Sequence, residues 1–202
     1  MNTGRDPQRY RLSFTVGTLY LGGAPLAARL FEDLGDWLKV REALRTQNLL
    51  QARTSASSIL LSREMTHRLS TLSPQEIEIV SDATVEELAQ LMWVAVCRRY
   101  SFIGEFAEEV LRERFLLMQT DLSPEHFDSF VREKALWHEE LANLEASTLK
   151  KLRANLFKML REAGLLTEDD VIVPTVIATR VHEQLARRLP SDIRFFPTRE
   201  PA

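Results

Sequence analysis

Apolar residues recur at helical spacing along most of the chain, and helix starts and stops fall in the gaps between them. Leu26, Leu30, Phe31 and Leu34 share one face of a helix that Pro25 opens and Gly35 ends. Asp36 then caps a second helix, Trp37–Leu44, with Trp37, Val40 and Leu44 inward. Residues 47–53 read as a connector. Thr54 or Ser55 caps a third helix that runs to about Leu69, its apolar positions being Ile59, Leu60, Met65 and Leu69. Ser73-Pro74-Gln75-Glu76 and Thr84-Val85-Glu86-Glu87 are both capping-box sequences. The second leads into Leu88, Leu91, Met92, Ala95 and Val96, apolar over so wide an arc that this helix belongs at the centre of a core.

The second half continues in the same way. Phe102, Phe106, Val110 and Leu117 predict one long helix from Ser101 to about Met118. Ser123-Pro124-Glu125 opens another, with Phe127, Phe130, Val131 and Leu136 inward; Trp137 to Leu144 continues or kinks it. Ser147 or Thr148 opens a strong helix to Ala163 with Gly164 as its stop, and Leu149, Leu152, Leu156, Met159 and Leu160 form its stripe. Val171-Ile172-Val173 is the best strand candidate. Thr175 caps a last helix, Val176–Leu189, and the tail aromatics Phe195 and Phe196 dock on the body. The predicted fold class is all-α: a compact multi-helix protein with helix-turn-helix or winged-helix-like units and at most one short hairpin. A division into an N-terminal helical part, residues 1–82, and a C-terminal helical part, residues 83–202, fits the patterning.

Composition narrows the chemistry. In 202 residues there are 7 Gly and 8 Pro, few for a turn-rich β protein, and one cysteine. Cys97 follows an apolar run and reads as a buried thiol; alone it excludes an internal disulfide and a cysteine-based zinc site. The N-terminus shows no apolar run behind a basic start, so no targeting signal is read there. Leu12–Ala28 is uncharged but is 17 residues long and holds three glycines and a proline. A spanning helix needs about 20 apolar residues, so a cytoplasmic protein with no membrane contact is expected. His67, His126, His138 and His182 are scattered with no metal spacing, and no glycine-rich phosphate loop or nucleophile elbow occurs. No catalytic residue, metal or cofactor is expected.

Charge is the informative quantity. The total is −3, but residues 41–72 carry five basic residues against two acids, and residues 146–161 carry five basic residues and no acid. Residues 74–96 hold five acids and no base, while residues 121–145 hold seven acids against Arg132 and Lys134. Local sign decides whether a face attracts phosphate. Such basic faces can equally pair with the acidic segments beside them. Arg53, Ser55 and Ser58 crowd the start of the third helix, and Arg63 and Arg68 continue along it. With the preceding helix they suggest a helix-turn-helix arrangement, in which a helix N-terminus meets DNA phosphates. Simple capping of a surface helix explains the hydroxyls equally well. Lys150, Lys151, Arg153 and Lys158 form a second basic set, where a solvated helix face is the plainer explanation, and Arg98 and Arg99 a third.

Several blocks together resemble a known family. They include Leu49-Leu50-Gln51-Ala52-Arg53-Thr54-Ser55, Ala95-Val96-Cys97-Arg98-Arg99-Tyr100, Phe102-Ile103-Gly104-Glu105-Phe106-Ala107, Val110-Leu111-Arg112-Glu113-Arg114-Phe115 and Asp121-Leu122-Ser123-Pro124. The strongest is Lys151-Leu152-Arg153 with Leu156-Phe157-Lys158-Met159-Leu160-Arg161-Glu162-Ala163-Gly164-Leu165-Leu166. Over residues 10–198 the chain resembles the BrxA family, small helical proteins of bacteriophage-exclusion (BREX) defence systems. The resemblance implies a bacterial cytoplasmic protein encoded beside a DNA methyltransferase and an ATPase. It also implies an all-helical fold and binding of double-stranded DNA, and it brings no established active site. A likeness to NusB-type RNA-binding proteins leaves RNA as an alternative ligand.

The expectation is therefore a non-catalytic DNA-binding accessory protein, monomeric on its own, that grips the phosphate backbone. The residues expected to do so are Arg53, Ser55, Ser58, Arg63, Arg68, Arg98, Arg99, Lys150, Lys151, Arg153 and Lys158. The rival expectation is a protein-interaction scaffold anchored by exposed aromatics such as Phe195 and Phe196.

Overall fold

The computed structural model describes residues 9–14 and 18–201. The polar lead at 1–8 and the part of the uncharged run at 15–17 lie outside the described residues. The elements in order are α1 (Ala24–Leu34), α2 (Trp37–Thr46), α3 (Ser55–Leu69), α4 (Pro74–Asp82), α5 (Val85–Arg99), α6 (Ser101–Phe106), α7 (Glu113–Leu116), α8 (Pro124–Lys134), α9 (Glu139–Ala142), α10 (Ala146–Glu162) and α11 (Thr179–Leu185). A π-helical turn, Ala107–Arg112, joins α6 to α7, and a 3-10 turn covers Asp192–Phe195. The protein is all-α. In place of the expected strand at 171–173 there are two isolated antiparallel bridges, Asp121 with Val171 and Leu166 with Ile172. Among the described residues no helix is long and apolar enough to cross a membrane.

The chain forms two compact units, each built from separated segments. One unit comprises residues 19–99 and 176–193; the other comprises residues 9–14, 18, 100–175 and 194–201. A cut between residues 82 and 83 therefore falls inside the first of these, between α4 and α5.

The unit of residues 19–99 and 176–193 is organised around α5. Residues 91–97 of that helix are all buried, as its wide apolar arc requires. Helix starts follow their caps. The Asp36 carboxylate accepts from the Leu38 amide at 2.6 Å, and reciprocal boxes join Ser73 with Glu76 and Thr84 with Glu87. Gly35 ends α1 at φ 64°, a left-handed conformation that costs glycine little. The inward face of α1 is Ala24, Ala27 and Ala28, while Leu26 and Leu34 are more than a third exposed. Small residues bring the helix close to its neighbour α4, and the larger leucines fall on the flanks. Trp37 stacks on Phe31 with centroids 4.1 Å apart.

One charged group lies at the heart of this unit. The Arg98 guanidinium, at the end of α5, donates to both Glu76 oxygens at 2.6 Å, to Asp192 at 2.8 Å and to the Thr71 carbonyl at 3.1 Å. The Arg98 side chain is 6% exposed, that of Glu76 2% and that of Asp192 4%. Burial acting alone would raise the Glu76 pKa, but the Arg98 hydrogen bonds and charge hold it below the ordinary carboxylate value.

The unit of residues 100–175 and 194–201 packs around Phe102, Phe106, Phe127 and Phe130, whose rings meet mostly edge to face at 5.3–6.0 Å. The single long helix expected here is broken by the π-helical turn. Its effect is visible in the buried stripe, which steps from Phe106 to Leu111 instead of to Val110. A five-residue step is what an i→i+5 turn imposes. It also leaves Leu117 65% exposed. Gly164 stops α10 at φ 71°, and Phe195 and Phe196 are buried, so the tail docks and does not offer the aromatic anchors a scaffold would need. The last helix is shorter than expected at both ends, since residues 176–178 and 186–189 are not helical; at its start Gln90 holds the chain by accepting from the Ala178 amide and donating to the Val176 carbonyl, both at 3.0 Å.

Two outcomes follow. Leu111→Ala should cost about 2–5 kcal/mol in urea denaturation while Val110→Ala costs well under half of that, the reverse of what an unbroken helix would give. Glu76 has a depressed folded pKa, so its stabilisation is fully present above its unfolded value of about 4.3 and is lost as pH falls through the folded value. Arg98→Met should cost about 3–5 kcal/mol at pH 7 by stranding buried carboxylates, and the deficit should shrink in denaturation curves recorded below that pH.

Candidate nucleic-acid interface

Helices α2 and α3 pack against each other, and the connector between them, residues 47–54, sets the geometry. It turns through two left-handed residues, Asn48 (φ 47°) and Gln51 (φ 51°). The Asn48 side chain accepts from the Ala52 amide at 2.9 Å and donates to the Ala52 carbonyl at 3.1 Å, closing the loop. A helix-turn-helix turn has about three to four residues, so this connector is longer. Thr54 and Ser57 form a capping box, and the Ser58 amide reaches the Thr54 carbonyl. The first two amides of α3, those of Ser55 and Ala56, have no intrahelical partner by helix geometry.

Arg45, Asn48, Ala52, Arg53, Thr54, Ser55, Ser58 and Ile59 line a hollow of about 310 Å³ at this helix start. Its rim is polar and positively charged. Arg53 and Ser55 are exposed. Arg45 pairs with Glu42 at 2.6 Å, yet both side chains are roughly half exposed, so solvent screens the pair. Ser55, Ile59 and Arg63 lie four residues apart along one exposed stripe of α3 that leads away from the hollow. Arg63 is 3.9 Å from the buried Glu64, while its own side chain is half exposed.

Other expected residues have inward roles. Arg68 is fully buried, its guanidinium 4.9 Å from the centre of the Tyr20 ring. Arg98 is the buried ion-pair centre described above. Ser58 is buried and donates to the Arg45 carbonyl at 3.3 Å, tying α3 to the end of α2. Arg99 is partly buried, with Nη2 3.1 Å from His67 Nδ1; burial first, then the Arg99 charge, pushes the His67 pKa down. Arg68 and Arg98 thus hold the fold, and Ser58 bonds back to α2 from the wall of the hollow.

The α10 set belongs to the other unit. Lys150, Lys151 and Lys158 are exposed, with Lys158 3.8 Å from Glu162. Arg153 is drawn into a 2.6 Å pair with Asp128 on α8. Arg161 pairs with Asp170 and stands 3.6 Å from Glu168. The open charge of this helix is therefore at its lysines. Helix α11, which follows α10 in the chain, lies in the other unit, so the two do not form one winged-helix-like unit.

Arg45 and Asn48 belong to the hollow although their residue types alone did not single them out. Asn just past a helix end, in Thr46-Gln47-Asn48, is the available signal, because asparagine tolerates the left-handed conformation that ends a helix. Among the described residues no group of three or more His, Cys, Asp and Glu side chains is arranged to hold a metal ion.

A family model described as BrxA matches residues 8–188. This chain belongs to the BrxA family. Three curated relatives are each described as BREX protein BrxA. The one from Paramagnetospirillum magneticum is 24% identical over 160 residues, 79% of this chain and 80% of that protein. The one from Escherichia coli O9:H4 is 26% identical over 124 residues, 61% of this chain and 58% of its own length. The one from Bacillus cereus is 24% identical over 128 residues, covering 63% and 64%. A crystal structure of an uncharacterized protein from Magnetospirillum magneticum shares the fold with a TM-score of 0.81. That likeness covers 94% of this chain and 99% of the other at 23% identity. The chain is thus a BrxA protein of the BREX defence system.

If the α3 start and the α10 lysines are open surface and Arg68 is a structural member, thermal melts will separate them. Arg53→Ala and Lys151→Ala should leave stability within about 0.5 kcal/mol of the wild type, whereas Arg68→Ala should lower it by more than 1 kcal/mol.

Proposed function

We propose that this BrxA chain is a non-catalytic, cytoplasmic DNA-binding accessory protein of its BREX system. It takes the phosphate backbone of duplex DNA at the α2–α3 hollow and on the lysine face of α10. The observation that carries this reading is the rim of the hollow, where Arg45 and Arg53 flank the first amides and hydroxyl of α3. Helix N-terminal amides and arginine guanidiniums suit phosphate oxygens, and neither reads base identity. The protein works beside other BREX components, a methyltransferase and an ATPase among them, and is a monomer when alone.

The mechanism is counterion release. Three arginines on the α2–α3 face, Arg45, Arg53 and Arg63, each neutralising one phosphate, contribute about −2.7 to the log–log salt slope at roughly −0.9 per contact, and each α10 lysine in contact adds about −0.9. Fluorescence anisotropy with labelled duplex DNA, single strands and structured RNA, at about 50 and 200 mM salt, measures it. Arg53→Ala should reduce the slope by about one contact on every duplex sequence, and Lys151→Ala tests the α10 face in the same way. No binding to duplex at low salt would overturn the proposal. Tighter binding to structured RNA would move the same surface to an RNA ligand.

A further inference from the structure

Three tryptophans occur in the chain, and two are shielded: Trp93 is fully buried and Trp37 is stacked on Phe31. Trp137 is 84% exposed, and its neighbour Leu136 is 76% exposed. They sit on the turn that follows α8, which bonds from the Leu136 amide to the Glu133 carbonyl and from the Trp137 amide to the Lys134 carbonyl, at 3.2 and 3.1 Å. Both ends of this turn are fixed. Lys134 is clamped between Glu105 and Glu109 at 2.6 and 2.7 Å. His138 stacks on Tyr10 with centroids 3.8 Å apart, and Glu140 accepts the Tyr10 amide. The indole is thus held outward by a braced turn, so little ordering remains to be done on binding.

The surroundings are acidic. Glu133 and Glu139 are exposed on either side of the knob, and neither has an ion-pair partner among the described residues. Glu133 also lines a hollow of about 350 Å³ together with Glu109, His126, Ser129 and the Phe130 ring. The hollow's one arginine, Arg114, is held 2.7 Å from Asp121, and Arg132, on α8 with Glu133, donates to Ser129.

We propose that the Leu136–Trp137 knob and the Glu133 hollow form a docking surface for a second protein of the BREX system, one that presents an apolar slot flanked by lysine or arginine. Charge selects this occupant. Phosphate and anionic lipid meet repulsion from Glu133 and Glu139. A symmetric contact between two copies would set the same carboxylates against each other. A basic-rimmed slot buries the indole, a side chain that carries disproportionate energy at interfaces, and places its cation in the acidic hollow. The proposal stands apart from the DNA reading, because it uses none of the arginines assigned to phosphate.

The test immobilises the full chain and passes over it each of the other proteins of the same BREX system, purified separately, at low and physiological salt. One of them is expected to bind. Trp137→Ala should weaken it at least tenfold, and Glu133→Gln with Glu139→Gln should weaken it and reduce its salt dependence. Duplex DNA affinity should be the same for Trp137→Ala as for the wild type, which separates failure here from failure of DNA binding. Matching circular-dichroism melts exclude misfolding, as expected for exposed positions. Binding unaffected by these substitutions, or no binding by any of the proteins, overturns the proposal. So does self-association of the wild type in sedimentation that Trp137→Ala abolishes, since the knob would then serve a second copy.

Discussion

A guanidinium removed from water is costly unless it is paired and hydrogen-bonded, and in one of the two units Arg98 imposes that condition on three stretches of chain. The Glu76 carboxylate comes from the first turn of α4, the Thr71 carbonyl from the end of the α3 region, and Asp192 from the segment after α11. Glu76 is at the same time the N3 member of its own capping box, with one oxygen taking the Ser73 amide. One side chain therefore starts a helix and neutralises the core cation. The central helix α5 could bury its apolar residues against many partners, but it can bury Arg98 against only one set. That requirement fixes which segments close around it.

Much of the fold was legible because helix boundaries are chemical events within a few residues. Asp36, Ser73, Thr84, Gly35 and Gly164 act where their types place them. The helical class, the connector before α3 and the docking of Phe195 and Phe196 follow from the same local rules. What stayed hidden depends on distant contact. The π-helical turn leaves the residue types of a good helix unchanged and shifts the buried stripe by one position, so Leu111 takes the place Val110 holds by spacing. In α1 the choice of alanines over leucines for the inward face is made by how near α4 lies. The two bridges near 171 need Asp121 and Leu166 as partners that no local pattern supplies.

The candidate site divides along the same line. Arg53, Ser55 and the lysines of α10 are exposed, as their positions on polar faces suggest. Arg68 and Arg98 carry the same charge in basic stretches and are interior, because a ring or a pair of carboxylates from elsewhere in the chain receives them. Sequence charge counts cannot distinguish a cation that waits for a ligand from one that already has its anion. The acids that settle the matter, Glu76, Asp192 and Asp128, sit 22, 94 and 25 residues from the bases they hold.

The interleaving of the two units has a bearing on how the polypeptide is made. The first unit lacks Asp192, and with it a counter-charge for Arg98, until residues 176–193 have been added. The second waits for residues 194–201, although its earliest described residue, Arg9, comes near the beginning. Each core therefore takes part of its lining from residues made after residue 175. A chain shortened to about 170 residues would lack a segment of both units at once, so one truncation touches two interiors that a simple division of the chain would have kept separate.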